Sequence, residues 1–310
     1  MAFSLLELGL RLFQVGRNTA FFIPDEKPGY FRSNPNFTAL FFPAQFELKP
    51  LSFRLRRSKD KNSMRIFVLG ESAVFGTPEP GFGLVEQLRA QLRARYPGRK
   101  IEVYNLGITA INSHVIYRIA REAMDFNPDL LVIYAGNNEV VGPYGPGSVS
   151  LSEMPPLALI RASVWLRSLR AGQLLLRILG KFSTTAGGGD ESQGMRTFSK
   201  TTVRGSDPRL DAVYGNFATN LRDIVRSAAR AGIKTVLSTV VANLKDSAPF
   251  VSLHRDDLKG SDLQAWQKAF DAGQLAWSLG DDSGAQTELE RAAKLDPEYA
   301  DTFYLLGRIE

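Results

Sequence analysis

The stretch Arg65-Ile66-Phe67-Val68-Leu69-Gly70-Glu71-Ser72-Ala73-Val74-Phe75-Gly76 decides the fold. A short apolar run closed by a glycine reads as a buried strand. The Glu71-Ser72 pair then falls in a strand-to-helix turn between two glycines, a place that lifts a serine hydroxyl to the top of a sheet. Phosphate chemistry fits the same turn poorly. No Gly-Lys-Ser/Thr follows, and Gly70 and Gly76 alone do not make the G-x-G-x-x-G pattern of dinucleotide sites.

Working outward, strand and helix patterns alternate. Gly83 to Tyr96 is predicted helical, with Leu84, Leu88 and Leu92 at spacing four and Pro97-Gly98 as its stop. Ile101–Leu106 reads as a strand, Asn112–Phe126 as a helix and Asp129–Tyr134 as a strand. Phe217–Ala231 is a further helix, and Lys234–Val241 a fourth strand. This alternation predicts an α/β fold: a three-layer α/β/α parallel sheet, flavodoxin-like and spanning residues 63–258, with ligands at the carboxyl ends of the strands. Between 143 and 210 the alternation breaks into a cap and loop insertion. Its helix, Leu157–Lys181, carries Arg161, Arg167, Arg170, Arg177 and Lys181 among apolar residues, and reads as a lid on the core or as a helix lying on a membrane surface. Thr184–Gly194, with Gly187-Gly188-Gly189, reads as a flexible loop.

The flanks differ from this middle. Residues 1–16 form an amphipathic or membrane-proximal helix, too short and too charged at Glu7 and Arg11 for a span. Location is left unknown by the sequence, with membrane association through this segment as one expectation. Residues 17–62 are rich in Phe and Pro and read as an extended segment anchored on the core. Their basic run, Arg54 to Lys61, is a solvated linker or a contact for anionic lipid head groups. Residues 261–310 are all helical. Counting from Trp266, the placing of Gly273, Ala285, Leu289, Ala292 and Pro297 fits a 34-residue tetratricopeptide unit, with a second unit starting at Ala300.

Composition narrows the chemistry. The 310 residues include 38 basic and 32 acidic side chains, a net charge of +6. No reader motif or aromatic platform accompanies the basic residues, so no nucleic acid is expected as partner. There are no cysteines, which excludes thiol nucleophiles and Cys-ligated zinc. The two histidines, His114 and His254, offer no ligand spacing, so neither a metal nor a cofactor is expected.

Two more strand ends carry polar signals. Asn105-Leu106-Gly107 closes the second strand, and Gly136-Asn137-Asn138-Glu139 follows the third. A glycine N–H and an asparagine side-chain N–H are apt donors to a developing oxyanion. Together the three blocks resemble the first three blocks of the SGNH/GDSL hydrolases, closest to bacterial members with tetratricopeptide repeats, with Glu71 where that family has Asp. The resemblance implies a serine ester hydrolase or acyltransferase with Ser72 as nucleophile. Its oxyanion donors would be the Ser72 N–H, the Gly107 N–H and the Asn138 side chain. An ester-bearing small molecule, lipid or acylated glycan would be the substrate, and the repeats would take a protein or peptide.

The family's base lies in an Asp-x-x-His block, and neither histidine matches: Val251 stands three residues before His254, and Ile111 before His114. The expectation is that the chain stops before that block and is weakly active or inactive as given. Asn137, Glu139, Asn243 and His254 are further cleft candidates. Asn137 is expected to shape the turn, Glu139 to hold a loop by hydrogen bonds, His114 to start a helix or pack, and His254 to serve structure or substrate contact rather than replace the base. Two alternatives stand beside the enzyme: a non-catalytic platform that binds a protein through the repeats, and a nucleotide-binding flavodoxin-like domain.

Overall fold

Four parallel strands organise the larger part of the chain. The computed structural model describes residues 2–42, 48–148, 154–182 and 202–309. The loop expected at Thr184–Gly194 and the anchors Pro43 and Phe46 lie outside the described residues. The chain divides into two compact units, Met1–Val240 and Val241–Glu310. The stretch with Asn243 and His254, expected in the α/β domain, falls in the second.

In the first unit, β4 (Ser63–Gly70) lies between β5 (Lys100–Asn105) and β6 (Leu130–Tyr134), and β7 (Lys234–Ser238) pairs with β6. The sheet order β5-β4-β6-β7 is parallel throughout. From β4 the chain first goes to one side, for β5, then crosses to the other, for β6. That reversal opens a crevice at the carboxyl end of β4, where open α/β sheets bind ligands.

Alternation along β4 feeds two cores, as a pleated strand covered on both faces must. Ile66 and Val68 pack with Val74, Val85 and Val103, with Leu88 and Leu92 of α3 (Leu84–Arg95) against them. Phe67 and Leu69 face the other way, into a larger cluster with Val115, Ile116 and Ile119 of α4 (Ser113–Ala123) and Ile224 and Ala228 of α7 (Arg209–Arg230). The helix expected from Phe217 thus begins earlier, just after Pro208, which fits the first turn because it lacks an N–H to satisfy. At the outer edge of the sheet, Val236 and Leu237 of β7 remain about half exposed.

The aromatic segment wraps onto this larger core. It forms a small antiparallel sheet of β1 (Phe22–Pro24), β2 (Tyr30–Ser33) and β3 (Arg54–Arg56). Phe21, Phe37 and Leu40 are fully buried, each worth about 1.5–3 kcal/mol of removed apolar surface. Glu122 of α4 accepts the N–H of Phe21 at 2.7 Å, fixing the entry point. The basic run is answered inside the fold. Arg54 pairs with Asp25 at 3.0 Å, Arg56 with Asp60 at 3.0 Å and Lys59 with Asp129 at 2.5 Å, while Arg57 lies over the Phe31 ring.

The helix expected over 157–181 is two: α5 (Leu157–Ser168) and α6 (Arg170–Phe182), with extended backbone at Leu169. The break is stabilised from far away in sequence. Glu7 of α1 (Ala2–Leu12) accepts the N–H groups of Arg170 and Ala171 at 3.1 and 2.9 Å, satisfying two orphan amides at the start of α6. Gln173 and Arg17 exchange a reciprocal pair of bonds beside it.

The second unit has three helices, α8 (Gly260–Ser278), α9 (Asp282–Leu295) and α10 (Ala300–Ile309). Small residues set their spacing: Ala269, Ala285 and Ala292 are fully buried, and a side chain at Gly273 would collide with Leu289. Asp281 caps α9 by accepting the Gly284 N–H at 2.9 Å.

Candidate active site

Ser72 opens α2 (Ser72–Phe75), a single turn that leaves β4 at the crevice. Gly70 allows the sharp exit, because a Cβ there would collide with the Tyr134 carbonyl. Ser72 itself is partly exposed, and the Gly76 N–H closes the turn on its carbonyl at 2.9 Å.

The loop after β5 is pressed against this turn. A Cβ on Gly107 would stand 2.6 Å from the Phe75 nitrogen, so only glycine allows the approach. Asn105 stitches the two segments: its Nδ2 donates to the Val74 carbonyl at 2.7 Å, and its Oδ1 accepts the Gly107 N–H at 2.9 Å. The Gly107 N–H therefore already has an acceptor. It reaches an oxyanion only by sharing that proton or by leaving Asn105.

The loop after β6 is tied to the residue before Ser72. The Glu71 carboxylate, nearly fully buried, accepts the N–H groups of Gly136 and Asn137 at 3.1 and 3.0 Å. Burial raises the Glu71 pKa to about 7, the nearby Glu139 adds to the rise, and the backbone N–H groups oppose it. Asn138 is partly buried and spends one Nδ2 hydrogen on the Ile111 carbonyl at 3.1 Å, which leaves the other of its two donors. Asn137 is exposed. Segments 71–75, 105–107 and 136–138 thus share one corner of the crevice.

Behind it lies a polar network that the sequence reading missed. Glu139 caps α4, accepting the N–H and the hydroxyl of Ser113, both at 2.8 Å. Asn220 of α7 donates to Ser113 Oγ at 3.0 Å and to His114 Nδ1 at 3.1 Å, and accepts from Arg161 at 2.8 Å. Burial lowers the His114 pKa to about 4, with Arg161 adding to the effect, so the ring is neutral and accepts at Nδ1. Burial also raises Glu139 to about 6 against its two bonds from Ser113. Asn220 carried no motif; its one sequence signal is a polar residue on the apolar face of an amphipathic helix.

The remaining candidates belong to the second unit. His254 Nδ1 meets Asp296 at 2.7 Å, with the ring stacked on Tyr299 and edge-on to Trp266. Asn243 is exposed and bonds to Asp246. Among the described residues no group of three or more His, Asp or Glu side chains is placed to hold a metal ion. The lined depression of about 590 Å³ between Asn62, Lys100, Asp129 and Lys234 opens at the amino ends of the strands, away from Ser72.

The fold defines a doubly wound α/β protein built on a parallel four-stranded sheet. Similar solved structures include AlinE4, described as an SGNH-hydrolase family esterase, at 15% identity and TM-score 0.26, over 57% of this chain and 77% of that one. A D162A mutant of that esterase aligns at 16% identity over the same shares, with TM-score 0.28. TesA aligns at 17% identity over 56% of this chain and 77% of its own, with TM-score 0.26. Likeness at these scores carries no argument about activity. No family model and no curated protein matches the chain.

Proposed function

We propose that the first unit is a serine ester hydrolase or acyltransferase of the SGNH type. One observation carries the reading: Ser72 stands at the topological switch of the sheet, with the Gly107 loop in van der Waals contact with its helix and the Asn138 loop bonded to its neighbour Glu71. In this reading Ser72 Oγ attacks an ester carbonyl. The Ser72 N–H, the Gly107 N–H and Asn138 Nδ2 receive the oxyanion. Collapse expels the leaving oxygen, which takes up the proton lost by Ser72 Oγ and departs as the alcohol. Water or a second alcohol then takes the acyl group and returns a proton to Ser72 Oγ.

The proton on Ser72 needs an acceptor, and the one histidine of the first unit is committed elsewhere. His114 holds Asn220 and resists protonation until about pH 4. Turnover is therefore expected to be slow, by several orders of magnitude against a complete triad. A fluorophosphonate probe should label the chain slowly at Ser72, and Ser72→Ala should abolish labelling. Undiminished labelling of Ser72→Ala would overturn the assignment. Brisk p-nitrophenyl acetate turnover that disappears in Ser72→Ala would instead refute the missing base.

The second reading is a non-catalytic platform, favoured by that same commitment of His114. The close helix packing at Gly273, Ala285 and Ala292 supports a tetratricopeptide-like second unit, and such surfaces bind peptides or proteins. No labelling at all, with a folded chain, selects this reading.

A further inference from the structure

We propose that α1 and α6 form a docking surface for a lipid bilayer containing anionic lipid. The two helices are joined by the Glu7 cap and the Gln173–Arg17 bonds. Each nevertheless leaves apolar side chains in solvent. On α1 and the turn after it, Leu5, Leu8, Leu12 and Phe13 are exposed, Leu12 at 72% and Phe13 at 83%. At helical spacing these share one face, opposite Glu7 and Arg11. On α6, Leu175, Ile178 and Leu179 are exposed on one side, with Arg177 on the other. Single exposed leucines need no explanation, but apolar faces on two helices in contact do.

Charge identifies the occupant. Helices α1, α5 and α6 leave Arg11, Arg167 and Arg177 exposed against one acidic residue, Glu7, while Arg161 is spent on Asn220 and Asp223. Glu7 is consumed by the α6 cap and Arg11. A second copy would bring this basic surface against itself. An anionic bilayer accepts both components, apolar side chains at the acyl boundary and guanidinium groups among the head groups. Among the described residues no helix is long and apolar enough to cross a membrane, so the contact is interfacial.

Flotation of the full chain with vesicles tests this, comparing phosphatidylcholine alone with phosphatidylcholine containing about a third phosphatidylglycerol. The chain should float with the anionic vesicles, and the bound fraction should fall about tenfold on neutral ones or at about 0.5 M salt. Leu12→Glu with Phe13→Glu, and separately Leu175→Glu with Leu179→Glu, should each cut binding about tenfold with an unchanged thermal midpoint, because these side chains are already in water. A third variant, Arg167→Glu with Arg177→Glu, should lose binding to anionic vesicles only. No flotation on anionic vesicles overturns the proposal. So does binding indifferent to all three variants, or sedimentation showing a dimer that the leucine variants dissolve. None of these readouts depends on Ser72.

Discussion

Ser72 and Ser113 occupy matching places and play different parts. Each opens a helix at the crevice side of the sheet, and each has a buried glutamate beside it. Ser113 even has a histidine as its sequence neighbour, so the residue types of a catalytic triad meet there. The wiring is wrong for nucleophilic chemistry. The Ser113 hydroxyl donates to Glu139, the imidazole accepts from Asn220, and the serine is fully shut from solvent. Ser72 has the reverse: a partly exposed residue, whose neighbouring glutamate is spent on holding the Asn138 loop. Which atom donates to which, and what water can reach, separates a scaffold from a site better than residue type does.

The largest expected effect lies at the buried serine. Asn220→Leu removes partners from Ser113, His114 and Arg161 together, and should cost about 3 kcal/mol in urea unfolding. Ser72→Ala should change the same midpoint by less than about 0.5 kcal/mol, as expected for a partly exposed group. Comparable losses in the two variants would break the contrast.

A smaller effect follows from the glutamates. Glu71 titrates near 4.5 unfolded and about 7 folded, so its stabilising contribution is complete below pH 4.5 and lost as the pH rises through about 7. Glu139 acts in the same direction up to about 6. His114 acts oppositely: its contribution is present above pH 6.5 and lost as the pH falls toward about 4. Glu71→Gln removes one arm of this balance. Its stability relative to the unchanged chain should rise by about 2 kcal/mol between pH 4.5 and pH 8 in denaturant titrations. A flat difference would mean that Glu71 is not the buried acid described here.

The smallest effect sharpens the oxyanion corner. Asn137→Ala should alter the fluorophosphonate labelling rate by less than about twofold, since the exposed side chain is spared and the backbone N–H that Glu71 holds remains. A loss as large as that of Asn138→Ala, expected near a hundredfold from removal of one oxyanion donor, would exchange the roles of the two asparagines.

The strands were legible because β4 must satisfy two cores at once, which leaves an unbroken apolar run. The Asn105-Leu106-Gly107 block was legible as the end of a strand, but not that Asn105 Oδ1 already takes the Gly107 N–H, a bond to the backbone two residues on that asparagine favours. What escaped depends on distant partners. The break at Leu169 has one local mark, Gly172, where a side chain would collide with the Leu166 carbonyl, but the carboxylate that caps the new helix, Glu7, arrives from a distant segment. Glu71 showed only a substitution for aspartate, and its bonds to Gly136 and Asn137 come from folding β6 beside β4. The Asn220 network needs α4, α5 and α7 assembled before it exists.

The bond from Glu7 to the start of α6 has a practical side. Residues 1–16 look like an expendable leader, and trimming them is the ordinary first step in preparing a protein for the bench. A chain shortened to begin after Gly16 would leave the Arg170 and Ala171 amides without their carboxylate. It would also set Arg170, already held below its normal proton affinity by burial and by Arg11, in new surroundings. The trimmed chain would be reshaped in its middle, not merely shorter at its start.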